Sequence, residues 1–161
     1  MDLVTDRLFR HMAWANAYVF DCLSKLSESE LLLTAAHDDW TAAAILEHLT
    51  GAGYADALDG LGYTHTEVPK NSIEVLALKE LSATFDARLR EAAKTPEGLT
   101  SHPVGSKQIY RSRQTILAQA IHHATEHRAQ IAGIFSGQGM KIVDLDEIDL
   151  WAFANYEGLG D

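Results

Sequence analysis

The run Ile121-His122-His123-Ala124-Thr125-Glu126-His127-Arg128-Ala129-Gln130-Ile131 holds the residue types best suited to chemistry in this chain. His123 and His127 are four apart, so on a helix they stack on one face with Cβ atoms about 5–6 Å apart. That face continues through Ile116, Ala120, Ile131 and Ile134, the apolar stripe that should turn towards a core. Burying two neutral imidazoles there without partners costs on the order of several kcal/mol, so something must satisfy them. A divalent metal does so, as the i, i+4 histidines of zinc-protease helices show. Spacing alone is weak evidence, because eight histidines in 161 residues give about 0.4 such pairs by chance. A third histidine with the same habit strengthens it. His48 shares a face with Thr41, Ile45, Leu49 and Ala52. His48, His123 and His127 together predict a three-nitrogen site with one open coordination position, as in catalytic rather than structural zinc.

The neighbouring residues narrow the chemistry. A metalloprotease helix carries its general-base glutamate directly after the first histidine of the pair. Ala124 stands there, which argues against proteolysis. Glu126 and Arg128 flank His127 on other faces, either as an ion pair orienting the ligands or on a solvated surface. Arg128 reads as structural, in a buried or interfacial salt bridge, because a planar guanidinium suits fixed pairing. His122 is one residue off the stripe and is expected to be exposed. His11 is expected to cap or lie on the surface, and His37, His65 and His102 fall in loops or near helix ends. A fourth ligand from His11, Glu47 or Asp56 would close the metal's shell and favour a non-catalytic role. Glu47 is a poor candidate, since it points about 100° away from His48 on a helix. Trp14, Asn16, Tyr54 and Tyr110 are candidates for lining a pocket, although aromatics at helical spacing are more often core. Cys22 lies on an apolar stripe as a small packed side chain. No Gly-rich phosphate loop and no Gly-x-Ser-x-Gly elbow is present.

The elements that must position these residues are helical. Apolar periodicity predicts a first helix over about 4–26, with Leu8, Met12, Ala15, Val19, Cys22 and Leu26 on one stripe. Ser27 and Glu30 form a capping-box signature for a short turn of helix ending near Leu33. A second helix is expected over roughly 41–61, with Gly51 and Gly53 inside it permitting close helix approach near His48. Asn71 and Glu74 open a third helix that ends before Pro96. A polar connection over 95–112 includes a short extended piece around Lys107–Tyr110. The fourth helix is expected over about 112–136, stopping at Gly137-Gln138-Gly139. Acids at Asp144, Asp146, Glu147 and Asp149 suit a helix start, and the aromatics of the following Leu150-Trp151-Ala152-Phe153 can close one end of a bundle. The fold class is therefore all-α, a four-helix bundle in one domain spanning 1–161, and such bundles build metal sites between facing helices.

Composition limits the partners. A net charge of −10 argues against nucleic acid and against an anionic membrane surface, both of which attract Lys and Arg. The start of the chain lacks a basic segment followed by an apolar run, and no stretch is long and apolar enough to span a bilayer. One cysteine excludes an internal disulfide and fits a reducing compartment, so a cytoplasmic location is expected.

The mid-helix Ile45-Leu46-Glu47-His48-Leu49 and the His-x-x-x-His-Arg-x-Gln-Ile run resemble the DinB/YfiT-like family of metalloenzymes. Met12-Ala13-Trp14-Ala15-Asn16 in the first helix and the ending Asp149-Leu150-Trp151 are similar to it as well. The likeness covers essentially the whole chain. Ala129 departs from the glycine that relatives often carry there. The resemblance implies a four-helix bundle binding one divalent cation through His48, His123 and His127, commonly as a homodimer. Relatives include transferases that use low-molecular-weight thiols such as bacillithiol, and a mycothiol-dependent maleylpyruvate isomerase.

The open position can stabilise a thiolate for attack on an electrophilic small-molecule substrate. It can equally activate water, giving a hydrolase or isomerase. A non-catalytic metal-binding stress-response protein is the alternative from another class. Zn2+ is the first expectation for the metal and Ni2+ the second, because imidazole suits both.

Overall fold

Helix caps written in the sequence set most of the element boundaries. The computed structural model describes residues 1–36, 39–59 and 66–160. Helix α1 is Leu3–Leu23, and the Asp2 carboxylate accepts from the backbone N–H groups of Val4 and Thr5 at its start. The short α2, Glu28–Leu31, begins at a reciprocal capping box between Ser27 and Glu30, as the sequence predicted. Thr41 caps α3, Ala42–His48, by accepting from the Ala44 N–H. Then comes α4, Ala52–Asp59.

The single second helix expected over 41–61 is thus two helices. Gly51 adopts φ 72°, a left-handed conformation that only glycine takes without strain, and it ends the helical path after His48. The expected exit of that helix, beyond Asp59, lies outside the described residues. Gly53 is not the close-approach position expected of it, because a Cβ there would meet nothing within 4 Å.

Helix α5 is Ser72–Ala92, with the Asn71 side chain accepting from the Glu74 N–H. Strands β1, Leu99–Val104, and β2, Lys107–Ser112, then pair antiparallel from Leu99 opposite Ser112 to Val104 opposite Lys107. Gly105, at φ 60°, makes the tight turn between them. The expected short extended piece is therefore half of a hairpin. Helix α6, Arg113–Gly137, follows without a break, and the Ser112 hydroxyl caps it by accepting from the Thr115 N–H. A 3-10 turn at Asp146–Ile148 leads into α7, Leu150–Tyr156, capped by Asp149.

The architecture is all-α apart from this one hairpin, a four-helix bundle in which α3 and α4 together make one arm. Helix α1 packs along α5, while α6 touches α1, α3 and α4. Phe9, Met12, Val19, Phe20, Ile45, Leu46, Leu89, Ile131, Ile134 and Phe135 form the fully buried centre. Each large apolar side chain buried there contributes about 1.5–3 kcal/mol. Phe153 closes one end, buried against Trp14 at 5.3 Å between centroids. Trp151, by contrast, is exposed. Among the described residues no helix is long and apolar enough to cross a membrane.

Candidate metal centre

His48 occupies the last residue of α3, and His123 and His127 lie one turn apart in the middle of α6. The packing of α3 on α6 brings the three rings together. One ring nitrogen of each lies within 4.8 Å of the others, and among the described residues no other group of three or more His, Cys, Asp or Glu could hold a metal ion. The ring centroids of His48 stand 5.0 Å from those of both His123 and His127, edge-on in each case. His127 is buried, and His123 and His48 are half-buried.

The hydrogen bonds decide which nitrogens are available. His127 Nδ1 lies 2.5 Å from Gln130 Oε1. An amide oxygen only accepts, so Nδ1 carries the proton and a neutral His127 presents a bare lone pair at Nε2. That Nε2 lies 2.9 Å from His123 Nε2. Two occupants suit such a gap, a proton donated by His123 or a cation shared by both lone pairs. The convergence of His48 on the same point favours the cation, because a cation can take a nitrogen from each of three rings whereas a shared proton joins only two. Tetrahedral zinc with bonds of about 2.0–2.1 Å holds its nitrogens about 3.3 Å apart. The pair is already near that spacing, and a His48 nitrogen lies within 4.8 Å of both. The donor set therefore fits a divalent metal. Protonation of His123 does not compete with it at neutral pH. Burial, then the neighbouring His127 and His48, holds the His123 imidazole down at about 4, and ligands must be deprotonated to bind metal.

Two aromatic side chains, Trp40 and Tyr54, wall the site. Trp40 stands edge-on to His48 at 5.1 Å and stacks at 15° over His127 at 6.2 Å. The bridge from Thr34 to Thr41 and the bond from the Ala42 N–H to the Leu33 carbonyl (2.9 Å) hold the chain next to Trp40 against Leu33 and Thr34. Tyr54, from the first turn of α4, meets His123 edge-on at 5.3 Å. Burial pushes its phenol pKa up, against a hydrogen bond with Gln119 that lowers it. Beside His48 and His123 a cavity of about 500 Å3 opens, lined by Tyr54, Thr115, Gln119 and Arg111 among others.

Of the four pocket residues expected from the sequence, only Tyr54 lines this cavity. Trp14 packs at the far end with Phe153 and Tyr156, and Tyr110 is exposed on β2. Asn16 is buried and bridges two charges. It accepts from Arg128 Nη1 at 2.7 Å and donates to the Asp86 carboxylate at 3.3 and 3.4 Å. Arg128 is buried, as its chemistry suggested, but it reaches its acid through this amide rather than directly. Its Nη2 also donates to Thr125 Oγ1 at 2.9 Å.

Glu126 does not orient a ligand. It sits on the exposed side, 3.3 Å from His122, which is exposed as expected. His11 is remote from the metal centre, with its Nε2 2.8 Å from the Ile148 carbonyl oxygen. Glu47 turns away from the histidines and accepts from the Thr66 hydroxyl at 2.7 Å. His11, Glu47 and Asp56 are all outside the histidine cluster. His37 and His65 lie outside the described residues. Cys22 is half-buried beside Tyr18, and burial pushes its thiol pKa up.

Sequence reasoning missed Trp40, Gln119, Arg111 and Asp86. Only Gln119 carried a readable signal, four residues before His123 on the same helical face. The other three are brought in by other elements.

Among protein-family models, that of the DinB family matches residues 1–152. No curated protein and no solved structure matches the chain significantly.

Proposed function

The chain belongs to the DinB family, and from that premise we propose that it is a metal-dependent enzyme whose His48, His123 and His127 hold one divalent cation. The observation that carries this reading is the meeting of three imidazoles, with Gln130 fixing His127 so that its Nε2 lone pair faces His123. Zn2+ is the first candidate and Ni2+ the second. When bound, the cation supplies Lewis acidity that lowers the pKa of a thiol or a water molecule at its open position.

The reaction we favour is transfer of a low-molecular-weight thiol to an electrophilic small molecule; hydrolysis or isomerisation is the alternative chemistry for the same site. The protein's own contribution is placement. Trp40 and Tyr54 exclude water from two sides of the histidines, Gln119 orients the Tyr54 hydroxyl, and the cavity beside His123 receives the substrate. A non-catalytic stress-response role would suit a closed shell, and among the described residues no carboxylate joins the histidine cluster to close it. Family membership supports a homodimer, and the single cysteine supports a cytoplasmic location. One domain over 1–161 is the simplest organisation, since α1, α3, α5 and α6 share one core.

Elemental analysis of protein purified without a histidine tag tests the reading. Wild type and His122→Ala are expected to carry about one divalent metal per chain, and His123→Ala and His127→Ala essentially none. Metal-free wild type that stays empty after reloading would overturn the assignment.

A further inference from the structure

The cavity beside the histidines contains a cation that the metal reading does not use. Helix α6 presents Thr115, Gln119, His123 and His127 four residues apart, one polar row along the wall of the bundle. Arg111 stands four residues before Thr115, at the end of β2, and lines the same cavity as Thr115, Gln119 and His123. Its guanidinium has no ion pair among the described residues. Glu47, which also lines the cavity, is committed to the Thr66 hydroxyl. The start of α6, whose partial positive charge adds to that of the arginine, opens beside it.

We propose that Arg111 makes this a site for a substrate bearing a carboxylate, held at the far end of the cavity from the atom that reacts at the histidines. The inference rests on the metal reading given above. A planar guanidinium binds a carboxylate through two parallel hydrogen bonds and is the side chain best fitted to that task. Against a chain of net charge −10, the Arg111 guanidinium offers an anion a local cationic contact, while the Glu47 carboxylate in the same lining is turned to the Thr66 hydroxyl. The rise of 1.5 Å per residue along α6 puts Thr115 about 12 Å from His123, so the carboxylate and the reacting atom are separated by on the order of 10 Å. Gln119 lies between them, a donor and acceptor for the polar middle of such a molecule.

The test uses Co2+-loaded, untagged protein and two probes that differ only at one end, 6-mercaptohexanoate and 6-mercaptohexanol. The thiolate-to-cobalt absorption band reports binding of each without any need for turnover. Wild type is expected to bind the acid at least tenfold more tightly than the alcohol, the strength of a hydrogen bond to a charged group. Arg111→Gln should lose that preference while keeping its affinity for the alcohol, and Arg111→Lys should recover part of it. Equal affinities in wild type, or a preference that survives Arg111→Gln, overturn the role of Arg111 and leave the metal centre standing. Failure to take up cobalt at all overturns the metal reading and this inference with it.

Discussion

Gln130 shows how one exposed side chain can set the chemistry of a buried one. Its amide oxygen fixes the proton of His127 on Nδ1 and frees Nε2 for a ligand's role. Such an outer contact both orients the ring and raises its basicity. Gln130→Leu removes the acceptor while conserving bulk, on a surface position where the fold has nothing at stake. It is expected to weaken metal binding about 10–100-fold, measured by competition with a chelator, with thermal stability of the metal-free protein unchanged. Unaltered affinity would falsify the orienting role. His122 provides the contrast, since one residue of rotation takes an imidazole from the cluster to the solvent.

Among the elements, the break between α3 and α4 matters most to the site. His48 is the last residue of α3, and three residues later Gly51 turns the chain at φ 72°. Beyond the turn, Tyr54 of α4 meets His123, and residues of α4 and α6 line the cavity together. Gly51→Ala tests it cleanly. A Cβ there would sit 3.6 Å from Leu89 Cδ1, an ordinary contact, so the cost is one of backbone conformation alone. That cost is about 1–2 kcal/mol, expected as a lower urea midpoint with an unchanged slope. If a continuous helix over 41–61 were the native path, the same substitution would stabilise the protein instead.

At the scale of the whole molecule, the buried Arg128–Asn16–Asp86 chain ties α6, α1 and α5 together beneath the site. It should also give the fold a pH dependence. Burial raises the Asp86 pKa to about 7, prevailing over Asn16 and Arg128, which pull it down. A group whose pKa is raised on folding contributes stability that is complete below its unfolded value of 3.8 and is lost as pH rises through about 7. Asp86→Asn has no such proton to lose. Its unfolding free energy should therefore gain on wild type between pH 5 and pH 8, by about 2 kcal/mol. A constant difference across that range would show that Asp86 stays charged throughout.

Local rules made much of this protein legible in its sequence. Caps at Ser27, Asn71 and Asp149 mark helix starts because a side-chain oxygen satisfies N–H groups only a few residues away. The pairing of His123 with His127, and the inward face of His48, follow from the 3.6-residue turn. The break at Gly51 was less legible, because a glycine inside a helical pattern reads equally as a weak helical residue or as a turn. Arg111, Trp40 and the Asn16–Asp86 link were not legible at all. Arg111 comes from a hairpin, Trp40 from a loop pinned to Leu33, and Asp86 from a helix 70 residues beyond Asn16. The sequence by itself determined the helices, apart from the break at Gly51, and which faces carried imidazole, since both depend on spacing along one chain. Only the tertiary structure decided that three imidazoles meet, that an arginine shares their cavity and that a carboxylate is buried behind them. Those depend on which helices lie side by side, and packing between distant segments leaves no periodic trace in either one.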